Sequence, residues 1–300
     1  MTYNVEMFGM DFTLKPIAFT LKIGNFTWDV YWYGIVIALG FMLAIIYGIK
    51  NAKRFNINTD RMLDVVLVTT PVSILCARAY YLIFDDRKMT GGIKEFFGFD
   101  GSGFSGLAIY GAVIGAFVCG ALMCHWRKIK ILDMFDMAAI AFLIGQGIGR
   151  WGNFFNQEAF GGLTYDPWWG MQSENTVSEV GPGLVHPCFL YESVWCLLGF
   201  VVLHILSKRR KFSGQMVLMY GVWYGFGRAI IEGLRTDSLY LVANIRVSQA
   251  LSVLLCLASV VLLVYMFVRI KKQESNAEYV ELYTHEKEEP VTESEIKEDE

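Results

Sequence analysis

The sequence Asp136–Gly161, "DMAAIAFLIGQGIGRWGNFFNQEAFG", begins as apolar membrane-type sequence and ends as a polar cluster. Nine residues of its second half hold an arginine, three amides and a carboxylate: Arg150, Asn153, Asn156, Gln157 and Glu158. A charged side chain at membrane depth costs about 3 kcal/mol even on insertion scales, so it normally has a partner or a function. The stretch therefore predicts a membrane helix that ends in a polar site.

The composition of the whole chain is that of a membrane protein. Of its 300 residues, 54% are hydrophobic and 15% aromatic, whereas only 18% are charged. The mean hydropathy is +0.40. A soluble domain of this length usually carries more charge and fewer aromatic residues. We therefore expect a polytopic protein whose partner is the lipid bilayer, and we expect no nucleic-acid partner.

Seven segments are apolar enough to be membrane spans, for which about 20 residues are needed. They are Tyr31–Ile49, Met62–Phe84, Leu107–Cys124, Met134–Gly149, Cys188–Leu206, Met216–Ile231 and Val247–Ile270. The predicted fold class is an all-α polytopic membrane protein. Residues 1–30 would form an extracytoplasmic N-terminal segment, and residues 31–272 a seven-helix transmembrane catalytic domain.

Lysine and arginine follow every second span and predict the orientation. Basic loops stay on the cytoplasmic side of a membrane. Such loops follow the first, third, fifth and seventh spans and contain Lys50, Lys53, Arg54, Arg61, Arg127, Lys128, Lys130, Lys208, Arg209, Arg210, Lys211, Arg269, Lys271 and Lys272. Residues 151–207 contain no lysine or arginine. We therefore expect the N-terminus outside and the C-terminus in the cytoplasm.

The last residues, 273–300, have a different composition. They contain eleven acidic residues against Lys287 and Lys297. Such a segment cannot bury enough apolar surface to fold. We expect an acidic, disordered cytoplasmic tail without a catalytic role.

Histidine and cysteine show no metal-ligand pattern. The four histidines lack an HxxxH spacing, and the six cysteines contain no CxxC pair. We expect neither a metal site nor an organic cofactor.

Two polar clusters fall on predicted helices. If the fourth helix continues past Gly149, then Arg150, Asn153 and Gln157 share one face. In the sixth span a second stripe holds Tyr224, Arg228, Glu232 and Arg235. Arg228 and Glu232 are four residues apart and can form an ion pair. The orientation brings both clusters toward the outer leaflet, where His186 and Glu192 of the outer loop "VHPCFLYE" add polar groups.

Arginines that converge from different helices suit a phosphate, because a guanidinium is planar and always charged. In the outer half of a bilayer, that phosphate is best supplied by a phospholipid head group. Two other hypotheses remain open. In one, an anion or lipid transporter uses the intramembrane arginines; in the other, a membrane scaffold uses its polar residues only to pair helices.

The segment "GRWGNFFNQEAFG" resembles the signature of the prolipoprotein diacylglyceryl transferases, G-R-x-G-N-F-x-N-x-E-x-x-G. The resemblance continues in "YWYGIVIALGF", "HPCFLYE" and "YGFGRAIIEGLR", in the family's order, and covers residues from about 30 to 250. It implies a seven-helix enzyme of the bacterial plasma membrane. Such enzymes move the diacylglyceryl group of phosphatidylglycerol onto the lipobox cysteine of a prolipoprotein signal peptide, forming a thioether and releasing glycerol phosphate.

The resemblance also implies functional residues in this sequence. They are Tyr33, Arg150, Asn153, Glu158, Gly161, Tyr224, Arg228, Glu232 and Arg235. We hypothesise that Arg150 and Arg228 hold the departing phosphate in catalysis, and that Glu158 and Glu232 orient the arginines or polarise the thiol. The residues expected to contact phosphatidylglycerol are Arg150, Asn153, Arg228, Tyr33, Tyr224, Gly161 and Arg235.

The third span departs from the family pattern. Where the family often has the histidine of an "HGGL" motif, this chain reads "AIYGAVIG" and places Tyr110. A phenol is almost wholly protonated at neutral pH and is a poor general base. We therefore expect Glu158 or Glu232 to be the base, or none to be needed, since a thiol already supplies a few per cent of reactive thiolate.

Overall fold

The computed structural model describes residues 2–23, 26–84, 96–97, 106–166, 168–236 and 246–274. The chain divides into two compact units, residues 45–138 on the one hand and residues 1–44 with 139–300 on the other. The division falls inside the first and fourth long helices. Nearly all of the predicted acidic tail, residues 275–300, lies outside the described part of the chain.

A long helix overlaps each of the seven predicted spans. These helices are α1 (Trp32–Asn51), α2 (Thr59–Phe84), α3 (Ile109–Trp126), α4 (Ile131–Asn156), α6 (Cys188–Ser207), α7 (Gln215–Glu232) and α8 (Val247–Glu274). A 3₁₀ turn, Ala52–Phe55, follows α1, and a short helix, α5 (Glu174–Val180), lies between α4 and α6. The largest difference from the predicted bounds is at α4, which continues beyond Gly149 by two turns.

Six of the helices in the described residues are long and apolar enough to cross a membrane: α1, α2, α3, α4, α6 and α8. The remaining predicted span, α7, contains Gln215, Arg228 and Glu232 and is not among these six. The chain is therefore mostly helical, and its six apolar helices are those of a multi-pass membrane protein.

Short strands accompany the helices, which the all-α prediction missed. Strand β1 (Tyr3–Met7) pairs antiparallel with β2 (Met10–Leu14) and with β5 (Met171–Ser173). Strands β3 (Ile17–Ile23) and β4 (Phe26–Tyr31) form a separate antiparallel pair. Residues 1–30, expected only as an extracytoplasmic segment, thus supply four strands. Alternation in β1 buries Val5 and Met7 on one face.

The buried core of the unit that contains the termini joins this sheet to two helices. Its members come from β1, the end of α4 and the segment after it, β5, and the start of α6 and the segment before it. They are Val5, Met7, Phe154, Phe160, Met171, Val185 and Phe189. The rings of Phe154 and Phe189 stack with centroids 5.1 Å apart. This core fixes the end of α4 beside the start of α6.

In the unit of residues 45–138, α2 packs closely on α3. A Cβ at Gly111 would lie 2.4 Å from the Cys76 carbonyl, so only glycine allows this approach. The buried Arg78 donates to the carbonyls of Phe96 and Gly106, each at 3.2 Å. These contacts give Arg78 a structural position within its own unit.

Candidate active site

The site residues on α4 lie in its last two turns. The helix continues through Arg150 to Asn156, so Gln146, Arg150 and Asn153 follow one another on one face. Gln157 does not continue this stripe, contrary to the prediction. Its φ of 55° ends the helix, and its buried side chain donates back to the Phe154 carbonyl at 2.5 Å.

Glu192 lies in the first turns of α6 and joins the two predicted clusters. One carboxylate oxygen, Oε1, accepts from Arg150 at 2.5 Å and from the Tyr224 hydroxyl at 3.1 Å. The other, Oε2, accepts from Arg228 at 2.8 Å. Arg150 and Arg228 thus converge from α4 and α7 onto one carboxylate.

The Glu192 side chain is more deeply buried than the two arginine side chains that contact it. The Glu192 side chain is only 3% exposed, whereas Arg150 and Arg228 keep 22% and 15% of their side-chain surfaces accessible. An ionised carboxylate this deep needs close partners. A guanidinium group has five N–H donors, more than one carboxylate uses, so both arginines have the capacity to bind a further anion.

The predicted ion pair within α7 is present. Arg228 Nη2 lies 2.7 Å from Glu232 Oε2, close enough for an ion pair although its angle is not that of a hydrogen bond. Glu232 also accepts from the Ser248 hydroxyl of α8 through Oε1, and its backbone carbonyl accepts from Arg246. Glu232 therefore ties Arg228 to the start of α8.

Glu158 lies just beyond the end of α4. It is exposed and accepts from the Asn156 side chain at 2.9 Å. The carboxylate that contacts Arg150 is Glu192, and the amide beside Arg150 is Asn153, whose Oδ1 lies 3.5 Å from Nη1. Helix α4 ends between Arg150 and Glu158, so Glu158 is no longer on the helical face of the arginine.

Tyr33 lies at the start of α1 against the end of α4. A Cβ at Gly152 would lie 2.7 Å from the Tyr33 ring, so the ring is in direct contact with α4 two residues after Arg150. Tyr33 and Asn156 also line an open hollow of about 460 Å³, together with Asp29, Val30, Tyr31 and Gly34. The predicted lipid contact Tyr33 is thus accessible beside the arginine cluster.

Gly161 and Arg235 meet through the backbone. They form an antiparallel bridge, and Gly161 N–H donates to the His186 carbonyl at 2.8 Å. The neighbouring Gly162 N–H donates to the Leu234 carbonyl at 3.0 Å. A Cβ at Gly161 would lie 2.7 Å from that Leu234 oxygen. Gly161 is therefore positioned to hold the segment after α7 against the segment before α6.

Tyr110 belongs to the other unit, residues 45–138, and is 49% exposed near the start of α3. Its ring lies 6.4 Å from that of Tyr80 on α2.

Sequence reasoning placed Glu192 among outer-loop polar groups and missed its central position. The available signal was electrostatic: two arginines on different membrane helices need buried countercharge, and Glu232 alone balances only one. Gln146 and Tyr220 were missed as well; the Tyr220 hydroxyl donates to Gln146 at 3.2 Å, and its ring stacks on Tyr224 at 5.4 Å.

The sequence is similar to a known protein family over most of its length. A family model described as prolipoprotein diacylglyceryl transferase matches residues 16–265. A relative from Clostridioides difficile (strain 630) is 38% identical over 263 residues, covering 88% of this chain and 98% of the relative. One from Pediococcus pentosaceus is 41% identical over 287 residues, covering 89% and 95%. Both relatives are named phosphatidylglycerol–prolipoprotein diacylglyceryl transferase.

Proposed function

The chain belongs to the prolipoprotein diacylglyceryl transferase family, and we propose that Arg150 and Arg228 hold the phosphate of its lipid substrate during the transfer. The chain is a transferase of lipoprotein biosynthesis that moves the diacylglyceryl group of phosphatidylglycerol to prolipoproteins. An anion or lipid transporter is not favoured. The observation that carries the proposal is the convergence of both arginines on Glu192.

The membrane arrangement proposed here has seven spans, with α7 as the sixth. Phe226 and Ile230 of α7 are exposed, whereas Glu232 is buried and Arg228 mostly so. An apolar outer face with an inward polar face suits a membrane helix within a bundle. From the basic loops we propose that the N-terminus is outside and the C-terminus in the cytoplasm of a bacterium, with the chain in its plasma membrane.

The fixed position of the two arginines supports a phosphate ligand. The guanidinium groups of Arg150 and Arg228 are paired with the carboxylates of Glu192 and Glu232. A phosphodiester carries one negative charge, and both guanidinium groups would bind it. Because Glu192 and Glu232 fix the guanidinium groups in advance, little reorganisation is needed when the phosphate arrives.

In the proposed reaction, the lipobox cysteine attacks the glycerol C3 carbon of the diacylglyceryl group. A sulfur–carbon bond forms, the bond from that carbon to the phosphate oxygen breaks, and its electron pair leaves with glycerol 1-phosphate. The thiol proton goes to solvent as the thiolate forms. Negative charge builds on the departing phosphate, so preorganised positive charge lowers the barrier.

The remaining predicted site residues take supporting roles in this proposal. Asn153, Tyr33 and Tyr224 would bond head-group oxygens, and Glu232 would orient Arg228. Gly161 would place Arg235 near the lipid through their backbone bridge. Glu158 remains a candidate to polarise the incoming thiol, since it is exposed near the end of α4. Tyr110 remains the residue at the family's histidine position.

The proposal is tested by reconstituting the full chain in vesicles that contain labelled phosphatidylglycerol and a peptide with a lipobox cysteine. We expect lipidated peptide and glycerol phosphate in equal amounts, and neither product with Arg150→Ala. Movement of lipid across the vesicle without either product would instead support the transporter.

A further inference from the structure

Helices α6 and α7 are joined by two tryptophans, Trp195 and Trp223, called here the tryptophan pair. Their indole rings stack with centroids 4.5 Å apart and planes 19° from parallel. Each indole N–H also donates to the backbone carbonyl of the other tryptophan, Trp195 to Trp223 at 2.9 Å and Trp223 to Trp195 at 3.0 Å. The two hydrogen bonds and the stack form one reciprocal contact.

Glycine makes this contact possible on both helices. A Cβ at Gly227 would lie 2.0 Å from Trp195 Nε1, and a Cβ at Gly199 would lie 2.3 Å from Trp223 Nε1. Each tryptophan therefore rests on the backbone of the facing helix, four residues after the other tryptophan. The sequences "WCLLG" and "WYGFG" place the same pair of residue types on the two antiparallel helices.

Such a contact fixes how the helices slide and rotate against each other. An indole N–H directed at a backbone carbonyl tolerates little change in distance or angle. Ordinary apolar packing between membrane helices is less directional, because lipid tails are as apolar as leucine. The tryptophan pair thus sets the register of α6 against α7.

The catalytic cluster begins one turn from this contact. Glu192 precedes Trp195 by three residues, about 4.5 Å along the helix axis. On α7, Tyr224 directly follows Trp223, and Arg228 directly follows Gly227. Tyr224 and Arg228 both donate hydrogen bonds to the Glu192 carboxylate. A shift of register at the tryptophan pair would therefore move Glu192 relative to Arg228.

We propose that Trp195 and Trp223 are positioning residues for transfer, which hold Glu192 at the place where it orients Arg150 and Arg228. This inference rests on the proposed phosphate role of the two arginines. A misplacement of about 1 Å can cost up to about 100-fold in rate, chiefly in the chemical step. Uptake of the lipid from the bilayer through its acyl chains depends less on that alignment.

The test compares full-chain variants in vesicles of defined phosphatidylglycerol content. Trp195→Phe and Trp223→Phe keep an aromatic ring and remove the N–H donor. We expect each to lower kcat about tenfold and to change KM for phosphatidylglycerol by less than about twofold. Trp168→Phe, which changes an exposed tryptophan of the same unit, is the matched control and should leave both unchanged.

A double-variant cycle separates positioning from general loss of packing. If the tryptophan pair acts through Glu192, then Trp195→Phe should cost little further activity in a Glu192→Gln background. Equal losses in the two backgrounds, or full kcat in both Phe variants, would overturn the proposal. An inactive wild-type chain would instead contradict the proposed function itself.

A compensating pair of substitutions tests the contact between Trp195 and Gly227 independently of the single Phe variants. Gly227→Ala should lower kcat because its methyl group collides with Trp195. Adding Trp195→Phe, whose ring is smaller, should raise kcat above that of Gly227→Ala alone. A double variant that is less active than Gly227→Ala alone would contradict the inferred contact.

Discussion

Glu192 accepts a hydrogen bond of 2.5 Å from Arg150, forty-two residues earlier in the chain. The same carboxylate accepts from Arg228, so a single buried acid aligns two guanidinium groups from different helices. Removing one member of such a cluster leaves the others with uncompensated charge. Glu192 therefore affects both the stability of the protein and the geometry of its arginines.

Replacing Glu192 by alanine should destabilise the protein by about 2 kcal/mol. This is below the value for a fully buried ion pair, because Arg150 and Arg228 retain contact with solvent. Glu192→Gln keeps the shape and one acceptor, and we expect near-normal folding with kcat lowered about tenfold. Thermal unfolding in detergent and the transfer assay measure the two effects. A Gln variant as active as wild type would contradict the orienting role.

Arg150 is expected to act through the shape of its guanidinium group as well as its charge. Arg150→Lys retains the charge but cannot form two parallel hydrogen bonds to phosphate. We expect transfer to fall about 100-fold, with an unchanged unfolding temperature. The kcat of purified protein in vesicles checks this, with Arg127→Lys as a control arginine in the other unit. Near-normal transfer by Arg150→Lys would mean that charge alone suffices.

Tyr110→Phe should retain transfer within about threefold of wild type, because a phenol is a poor base at neutral pH. Initial rates measured between pH 6 and pH 9 are the appropriate comparison. Loss of activity across this whole range would show that the Tyr110 hydroxyl takes part in the reaction.

Gly161→Ala should reduce both stability and transfer. Its methyl group would lie 2.7 Å from the Leu234 carbonyl oxygen, so the segment that carries Arg235 has to move. The unfolding temperature and kcat should fall together. Gly162→Ala is the matched control, since space is open there. A drop in phosphatidylglycerol affinity at full stability would instead support direct lipid contact by Gly161.

The positions of the helices could be predicted because apolar runs and basic loops are local properties of the sequence. A helix overlaps each of the seven predicted spans, and the start of α6 at Cys188 was predicted to the residue. The strands of residues 3–31 were not predicted, because they are short and one of them pairs with a strand 166 residues away at Met171–Ser173. Pairing over such a distance leaves no local pattern.

Relations within one helix were the part of the candidate site that spacing could predict directly. Arg228 and Glu232 are one turn apart, so their ion pair follows from spacing alone. The contact from Glu192 to Arg150 depends on the rotation of two helices, which tertiary packing decides. Gln157 was misplaced because the helix ends at a left-handed residue that is not glycine.

The phosphate role of Arg150 is tested most directly by varying the charge of the lipid. Wild type and Arg150→Gln would be compared on phosphatidylglycerol and on its neutral methyl phosphotriester, in vesicles with the same lipobox peptide. We expect Arg150→Gln to slow transfer from the anionic diester by about 100-fold, but transfer from the triester by less than about fivefold. Equal slowing of both lipids would contradict contact between Arg150 and the phosphate.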